Sequence, residues 1–153
     1  MRSLTLGAPA EGIIYEKRNA ARCLIIRDDQ ICIVHVKKGI SLIHHQLFSA
    51  YLTPSKGNYY KLPGGGLESE DPNDFIACQR EALEETGCEV IVRPELIAQT
   101  TEYRGTLHQE SRAYICNVVQ DTGKVELTEL EASEGLVHFW CPTDGALENM
   151  RSV

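Results

Sequence analysis

The chain has 153 residues, 42% apolar and 24% charged, which suits one globular domain and excludes a collagen, a coiled coil and a wholly disordered chain. No apolar run approaches the roughly 20 residues that a membrane-spanning helix needs. The net charge is -7, and all of that excess lies between residues 62 and 92, where eight acids face the single base Arg80. Such a balance offers no basic face to a nucleic-acid polymer, and a concentrated acidic site suggests a cation instead.

Residues 1–19 are mixed in character and read as an arm or an edge strand. Arg22 to Ile26 and Ile31 to Val36 are apolar, β-prone runs on either side of Asp28-Asp29-Gln30, so together they read as a hairpin. Residues 39–56 interrupt the pattern. Tyr59 to Leu62 is a short strand running into Pro63-Gly64-Gly65-Gly66, a loop whose glycines imply unusual backbone angles or a close approach. The segment from 71 to 87 is the best helix in the chain, with Asp71 as N-cap, Pro72 at the first helical position and Gly87 as a left-handed stop. At about 100° per residue, Phe75, Ile76, Gln79, Ala82 and Leu83 form one arc, and Glu81, Glu84 and Glu85 fall on the opposite face. Strand-like runs follow at 88–92, 95–103, 112–119 and 136–141. A short helix is expected over 143–150, with Ala146, Leu147 and Met150 inward. Strands alternating with two helices indicate an α/β or α+β sheet with helices packed on it.

Six cysteines are present, and none forms a Cys-x-x-Cys pair, so spacing argues against a zinc site. Most lie in apolar runs, where a free cysteine behaves as a small hydrophobe. Met1 to Gly12 lacks the apolar stretch of a signal peptide. An intracellular, cytoplasmic and reduced protein is expected.

The glutamates of the helix carry the chemistry. Glu81 lies three residues before Glu84 and four before Glu85, so the carboxylates are surface neighbours, and like charges at that spacing cost a few tenths of a kcal/mol per pair. A solvated face would interleave lysines, yet the only base here is Arg80. A divalent cation is the natural compensation, since Mg²⁺ takes a few carboxylates together with waters and phosphate oxygens. A plain exposed acidic face is the alternative. The glycine run just ahead favours the cation, because it lets the chain bring helix and substrate together. It is not a P-loop, since the Gly-Lys-Ser/Thr ending is missing.

Taken together, the stretch from Gly64 to Cys88 resembles the Nudix box, Gly-x5-Glu-x7-Arg-Glu-U-x-Glu-Glu-x-Gly-U with U a bulky aliphatic residue. Arg80-Glu-Ala-Leu-Glu-Glu-Thr-Gly-Cys88 matches its second half, and Leu62-Pro-Gly-Gly-Gly66 looks like the family's strand-to-loop entry. The front half departs from the pattern. Counting back from Arg80 places Pro72 where glutamate is expected and Gly66 at the glycine, so Glu70 or Asp71 would take the missing role in a shifted register.

The resemblance implies an α/β/α sandwich with a mixed sheet, in a single domain over 1–153. It implies an enzyme that hydrolyses a nucleoside diphosphate linked to another moiety, with Mg²⁺ or Mn²⁺. Glu81, Glu84 and Glu85 would be metal ligands, with Glu84 and Glu85 also counted as catalytic. Gly66, Arg80 and Gly87 would shape the box. A further glutamate from the segment before the last strand would act as base or ligand. Glu129, Glu131 and Glu134 are the candidates, and Glu134, six residues ahead of Trp140, is the choice. Tyr60, Arg104 and His108 are candidates for substrate contact. The substrate is expected to be a small nucleotide-like molecule, such as a nucleoside triphosphate in oxidised or ordinary form, with no nucleic-acid polymer and no membrane as partner. The look of the chain is similar to small single-domain Nudix proteins of fungi. A catalytically silent module that binds a nucleotide or a protein is the rival reading, and a calcium module lacks the Asp-rich loop periodicity.

Two features stand outside the resemblance. The 18 residues 39–56 are almost uncharged and read either as a lid or dimer element, or as a retained intron translated in frame, the second being favoured. The chain stops at Val153, soon after the last expected helix, which reads as a truncated C-terminus that would weaken the fold or favour a homodimer.

Overall fold

Ala21, Cys23 and Ile25, at every second position, are fully buried and mark the inward face of the strand around which the molecule is organised. In a computed structural model of the chain, residues 1–37 and 59–144 are described. The elements there are β1 (Arg2–Leu6), β2 (Glu16–Arg27), β3 (Gln30–Val36), β4 (Tyr59–Lys61), β5 (Gly64–Gly66), α1 (Asp74–Thr86), β6 (Cys88–Arg104), β7 (Leu107–Asp121), α2 (Glu129–Ser133) and β8 (Val137–Pro142). The stretch 39–56, and the part of the expected final helix from residue 145 onward with Ala146, Leu147 and Met150, lie outside the described residues.

The strands form one mixed sheet in the order β1-β6-β7-β2-β3-β4, with β5 paired to β2 and β8 to β3. β2 lies parallel to β7 over eleven register pairs, from Glu16↔Leu107 to Ile26↔Asn117. Its end turns into β3, with Ile26↔Ile31 and Arg27↔Gln30 closing the expected hairpin. Asp28 takes the left-handed conformation in that turn, φ 53°, which aspartate tolerates better than most residues. β1 is the edge strand foreseen for the N-terminal segment, running parallel to β6 from Arg2↔Ala98 to Leu6↔Glu102.

The glycine run is not a loop. Gly64, Gly65 and Gly66 pair antiparallel with Arg22, Ala21 and Ala20. Gly64 sits at φ 141°, and a Cβ there would collide with the Ala21 carbonyl and approach the Arg22 Cα within 2.9 Å. The separate runs expected at 88–92 and 95–103 are one strand, β6, whose register against β7 shifts near Val92, Leu96 and Ala98. Pro94, which has no N–H to donate, falls in that irregular stretch.

α1 packs against β2, β5 and β6. It ends as expected at Gly87, φ 73°, whose N–H bonds the Leu83 carbonyl. It begins later than expected: Asn73, not Asp71, is the N-cap, accepting from the Ile76 N–H at 3.0 Å. The orientation of the helix is also different from a simple amphipathic reading. Phe75 and Ile76 are exposed, whereas Ala77, Cys78, Glu81, Ala82, Glu85 and Thr86 are buried. Small residues at 77, 78 and 82 let the helix lie close to the sheet, and that close approach carries two glutamates inward. The core between helix and sheet contains Ala21, Cys23, Ile25, Cys32, Val90, Tyr114 and Cys116. All six cysteines are reduced and buried. Trp140 is covered on one ring face by the Arg27 guanidinium, 3.9 Å from the ring centroid. Among the described residues, no helix is long and apolar enough to cross a membrane.

Candidate active site

Arg80 is the hub from which the site is built. Its Nη2 donates to Asp71 Oδ2 at 2.7 Å, and its Nε to both Asp71 oxygens at 3.1 and 3.2 Å. The Asp71 side chain is 2% exposed. A forked, charge-assisted pair outweighs a helix cap, which explains why Asp71 leaves the N-cap to Asn73. Arg80 pulls the Asp71 carboxyl below its ordinary range, burial opposing. Of the two substitutes foreseen for Pro72, the structure brings Asp71 to the arginine, whereas Glu70 is exposed. Asp71 stands six residues after Gly65 and nine before Arg80, so the departure is one extra residue between carboxylate and arginine.

The other face of the same guanidinium holds the glutamates. Nη1 donates to Glu81 Oε1 and to Glu84 Oε2, each at 3.1 Å, and Nη2 reaches the Gly66 carbonyl at 3.3 Å. Part of the expected repulsion between carboxylates is therefore relieved by Arg80 itself. Glu85 lies on the inner side and is nearly fully buried. Its Oε1 accepts from Lys61 Nζ at 3.3 Å, and its Oε2 from the Gly64 N–H at 3.3 Å. Burial pushes the Glu85 carboxyl up to about 8, Lys61 opposing, with Glu81 and Glu131 adding to the rise. The Glu81 carboxyl is also raised, again chiefly by burial.

The glycines have distinct steric roles here. A Cβ on Gly65 would stand 2.6 Å from Glu81 Oε1, and one on Gly66 would stand 2.6 Å from Arg18 Nε. Their missing side chains admit a carboxylate and a guanidinium to the backbone of β5.

Glu81, Glu85 and Glu131 each present a carboxylate oxygen within 4.8 Å of the others. Hard oxygen donors of like charge, with Glu81 and Glu85 buried and raised, match what a divalent cation such as Mg²⁺ or Mn²⁺ requires. Glu84 shares Arg80 but stays at the rim, its side chain 26% exposed. Glu131 was one of three candidates before the last strand, and Glu134 was preferred. The structure brings Glu131 into the trio through the short helix α2. There Glu131 also completes a capping box, its Oε1 accepting from the Thr128 N–H at 2.9 Å. Glu134 is the C-cap of that helix and is buried, its carboxyl raised by burial and Glu131 and lowered by Lys61. It adjoins the cluster electrostatically without joining the trio.

The remaining predicted residues sit further out. Tyr60 stacks on His35, ring centroids 4.5 Å apart, and meets Phe139 edge-on. Arg104 pairs with Glu102 at 3.0 Å. His108 stacks on Tyr103 at 4.5 Å, with Nε2 3.9 Å from Glu110. Gly87 belongs to the helix stop rather than the carboxylate cluster.

Sequence reasoning passed over Lys61, Arg18, Arg22, Gln109 and Ser111. Arg22 Nη1 donates to the Gly64 carbonyl at 2.8 Å, and Arg18 Nη1 to Gln109 Oε1 at 3.0 Å. Gln109 passes a further bond from Nε2 to Ser111 Oγ at 3.1 Å. Gln109 and Ser111 are buried polar residues on a central strand, and their signal was a polar position recurring every second residue.

A NUDIX domain model matches residues 16–152. By sequence, no curated protein matches the chain. Two of the many solved structures that share its fold illustrate the likeness. The E. coli ORF135 protein, a solution structure, is 19% identical with a TM-score of 0.57, the match covering 93% of this chain and 84% of that one. A NUDIX hydrolase from Nitrosomonas europaea is 16% identical with a TM-score of 0.62, covering 89% and 79% respectively.

Proposed function

The chain belongs to the Nudix family of hydrolases, which cleave phosphoanhydride bonds in nucleoside diphosphate derivatives, and on that premise we propose that its hydrolysis depends on a divalent cation held by Glu81, Glu85 and Glu131, with Glu84 at the rim. The observation that carries this reading is the carboxylate trio, two of whose members are buried. Three neighbouring carboxylates, two of them buried and raised, with one lysine and one arginine beside them form a poor structural core and a good hard-cation site.

The cation, when bound, supplies charge screening for the diphosphate and a water of lowered pKa. The chain's own residues do the positioning. Arg80 fixes the carboxylates of Glu81 and Glu84 from one side and anchors Asp71 from the other. Lys61 and the Gly64 N–H orient Glu85. Glu134, with a carboxyl raised toward neutrality, suits the general base that takes the proton of the attacking water. Glu84 and Glu85 remain its catalytic companions in this reading. Tyr60, Arg104 and His108 are proposed to contact the substrate beyond the phosphates, and nucleoside triphosphates, oxidised or ordinary, are the proposed substrate class. The domain is proposed to span 1–153, with 39–56 as an insertion in it.

The test is a turnover screen of the purified protein against nucleoside triphosphates, sugar nucleotides, dinucleoside polyphosphates and dinucleotide cofactors. Reactions run with Mg²⁺, with Mn²⁺ and with EDTA, and Glu85→Gln serves as control. Cleavage that needs both the cation and Glu85 supports the reading and names the substrate. A folded protein that binds a nucleotide and cleaves nothing would instead favour a silent binding module.

A further inference from the structure

The core between α1 and the sheet holds three thiols from three elements. They are Cys23 of β2, Cys78 of α1 and Cys116 of β7, and all three are 0% exposed. Their Sγ atoms all lie within 4.8 Å of one another. The β2–β7 register sets Cys23 opposite Tyr114 and Ile25 opposite Cys116, so the two strand cysteines share a sheet face two positions apart. The helix then lowers Cys78 onto them. Cys23 Sγ lies 3.4 Å from the Cys78 carbonyl, Cys116 Sγ 3.6 Å from the Tyr114 carbonyl, and Cys78 Sγ 3.8 Å from the Arg22 carbonyl. Intervals of 55 and 38 residues hid the cluster from any reading by spacing.

We propose that Cys23, Cys78 and Cys116 form a three-sulfur site for a soft monovalent cation of the copper(I) class, separate from the carboxylate site and independent of the hydrolytic reading. Softness follows from the donor set, since sulfur ligands select copper(I) over hard cations. Size follows from the geometry. A planar three-sulfur site with metal–sulfur bonds of about 2.3 Å has sulfurs about 4 Å apart, so the present arrangement needs little movement. Coordination number argues against zinc, which takes four ligands in structural sites. Among the described residues, no fourth His, Cys, Asp or Glu joins the group.

The thiolate, not the thiol, ligates a metal, so binding breaks the S–H bonds of the ligating cysteines, forms metal–sulfur bonds in their place and releases the protons to solvent, with no change of oxidation state. The S–H groups so replaced donate to backbone carbonyls in the folded core, so no side-chain partner is lost. Full burial means that the ion enters while the chain folds or while α1 lifts from the sheet.

The test refolds the reduced full chain anaerobically with copper(I) supplied as its bathocuproine disulfonate complex. One copper per chain should leave the chelator, and X-ray absorption should show three sulfurs at about 2.3 Å. The unfolding midpoint should rise, as it does for any ligand of the native state. Cys116→Ala and Cys23→Ala should each lose that copper, while Cys141→Ala keeps it. Uptake by Cys116→Ala equal to the parent, a shell with oxygen or nitrogen in place of the third sulfur, or a folded parent that leaves all copper on the chelator would each overturn the site. Should the alanine variants fail to fold, the sulfur count on the parent chain decides alone. Equal uptake of Zn²⁺ in a four-coordinate shell would overturn the monovalent assignment.

Discussion

Glu85 is the residue on which burial and charge conflict most openly. It is 1% exposed, and a single lysine and one backbone N–H serve its two oxygens. Glu85→Gln keeps the shape and removes the charge. Its kcat should fall at least about 100-fold, because even partners behind a metal ligand cost 10–100-fold when removed. Steady-state kinetics at saturating Mg²⁺ measure this, and a variant with parental kcat would reject Glu85 as a ligand. Arg80 makes a different prediction. Lysine cannot reproduce the fork to Asp71 while also reaching Glu81 and Glu84. Arg80→Lys should cost about 1–3 kcal/mol of stability by the loss of charged hydrogen bonds, as well as turnover. Asp71→Ala should cost a similar amount, and the double variant should be little worse than either single one, since both remove the same pair. Additive losses in denaturant unfolding would show that the two residues act separately.

At the scale of elements, caps and glycines separate stability from chemistry. Asn73→Ala removes the cap bond to the Ile76 N–H and should cost about 1 kcal/mol in denaturant unfolding, with turnover near parental. Gly65→Ala should behave in the opposite way. Its new Cβ meets the tip of Glu81, a side chain that can move, so the fold survives while the carboxylate shifts and metal affinity falls. A Tm loss larger than the loss of affinity would contradict this account. The hairpin of β2 and β3 and the stop at Gly87 were legible in the sequence because turn chemistry is local. The inward face of α1 was not. Periodicity pointed to the arc of Phe75 and Ile76, whereas close packing through Ala77, Cys78 and Ala82 turned the glutamates in. Periodicity detects a stripe of apolar side chains and is blind to a helix that buries charge. The start of α1 was misplaced because Asp71 had a stronger partner nine residues away. The capping box Thr128-x-x-Glu131 was readable from sequence, and it marks the helix that delivers Glu131. Lys61, Arg18 and the thiol cluster were not readable, since only the sheet register brings their partners together.

For the whole molecule, the distribution of shifted carboxyls sets a pH signature that tests the site without any substrate. Two groups work in the ordinary direction. Asp71, held by Arg80, and Asp74, held by Arg112 and the Tyr114 hydroxyl at 2.6 Å, both titrate below the usual carboxylate range. Their stabilisation is present at neutral pH and is lost as pH falls through their depressed values. Glu81, Glu84, Glu85 and Glu134 work in reverse, because burial raises each of them. A raised acid stabilises the fold fully below its unfolded value, and that contribution disappears as pH rises through the folded value, which is about 8 for Glu85. The metal-free protein should therefore be most stable in mildly acidic solution and lose stability steadily toward pH of about 8. Lys61, Glu81 and Glu131 bear on Glu85, and only Lys61 softens the decline. In the proposed site Mg²⁺ would bind the ionised carboxylates, so adding it should remove the alkaline decline and move the stability maximum upward. Glu85→Gln should flatten the decline in EDTA and also blunt the gain from Mg²⁺. Thermal unfolding from pH 4 to about 9, in EDTA and in Mg²⁺, reads all of these at once. A parental Tm in EDTA that is level across that range would mean that Glu85 is not held in a protonation-dependent cluster, and a Tm indifferent to Mg²⁺ would remove the cation from the site.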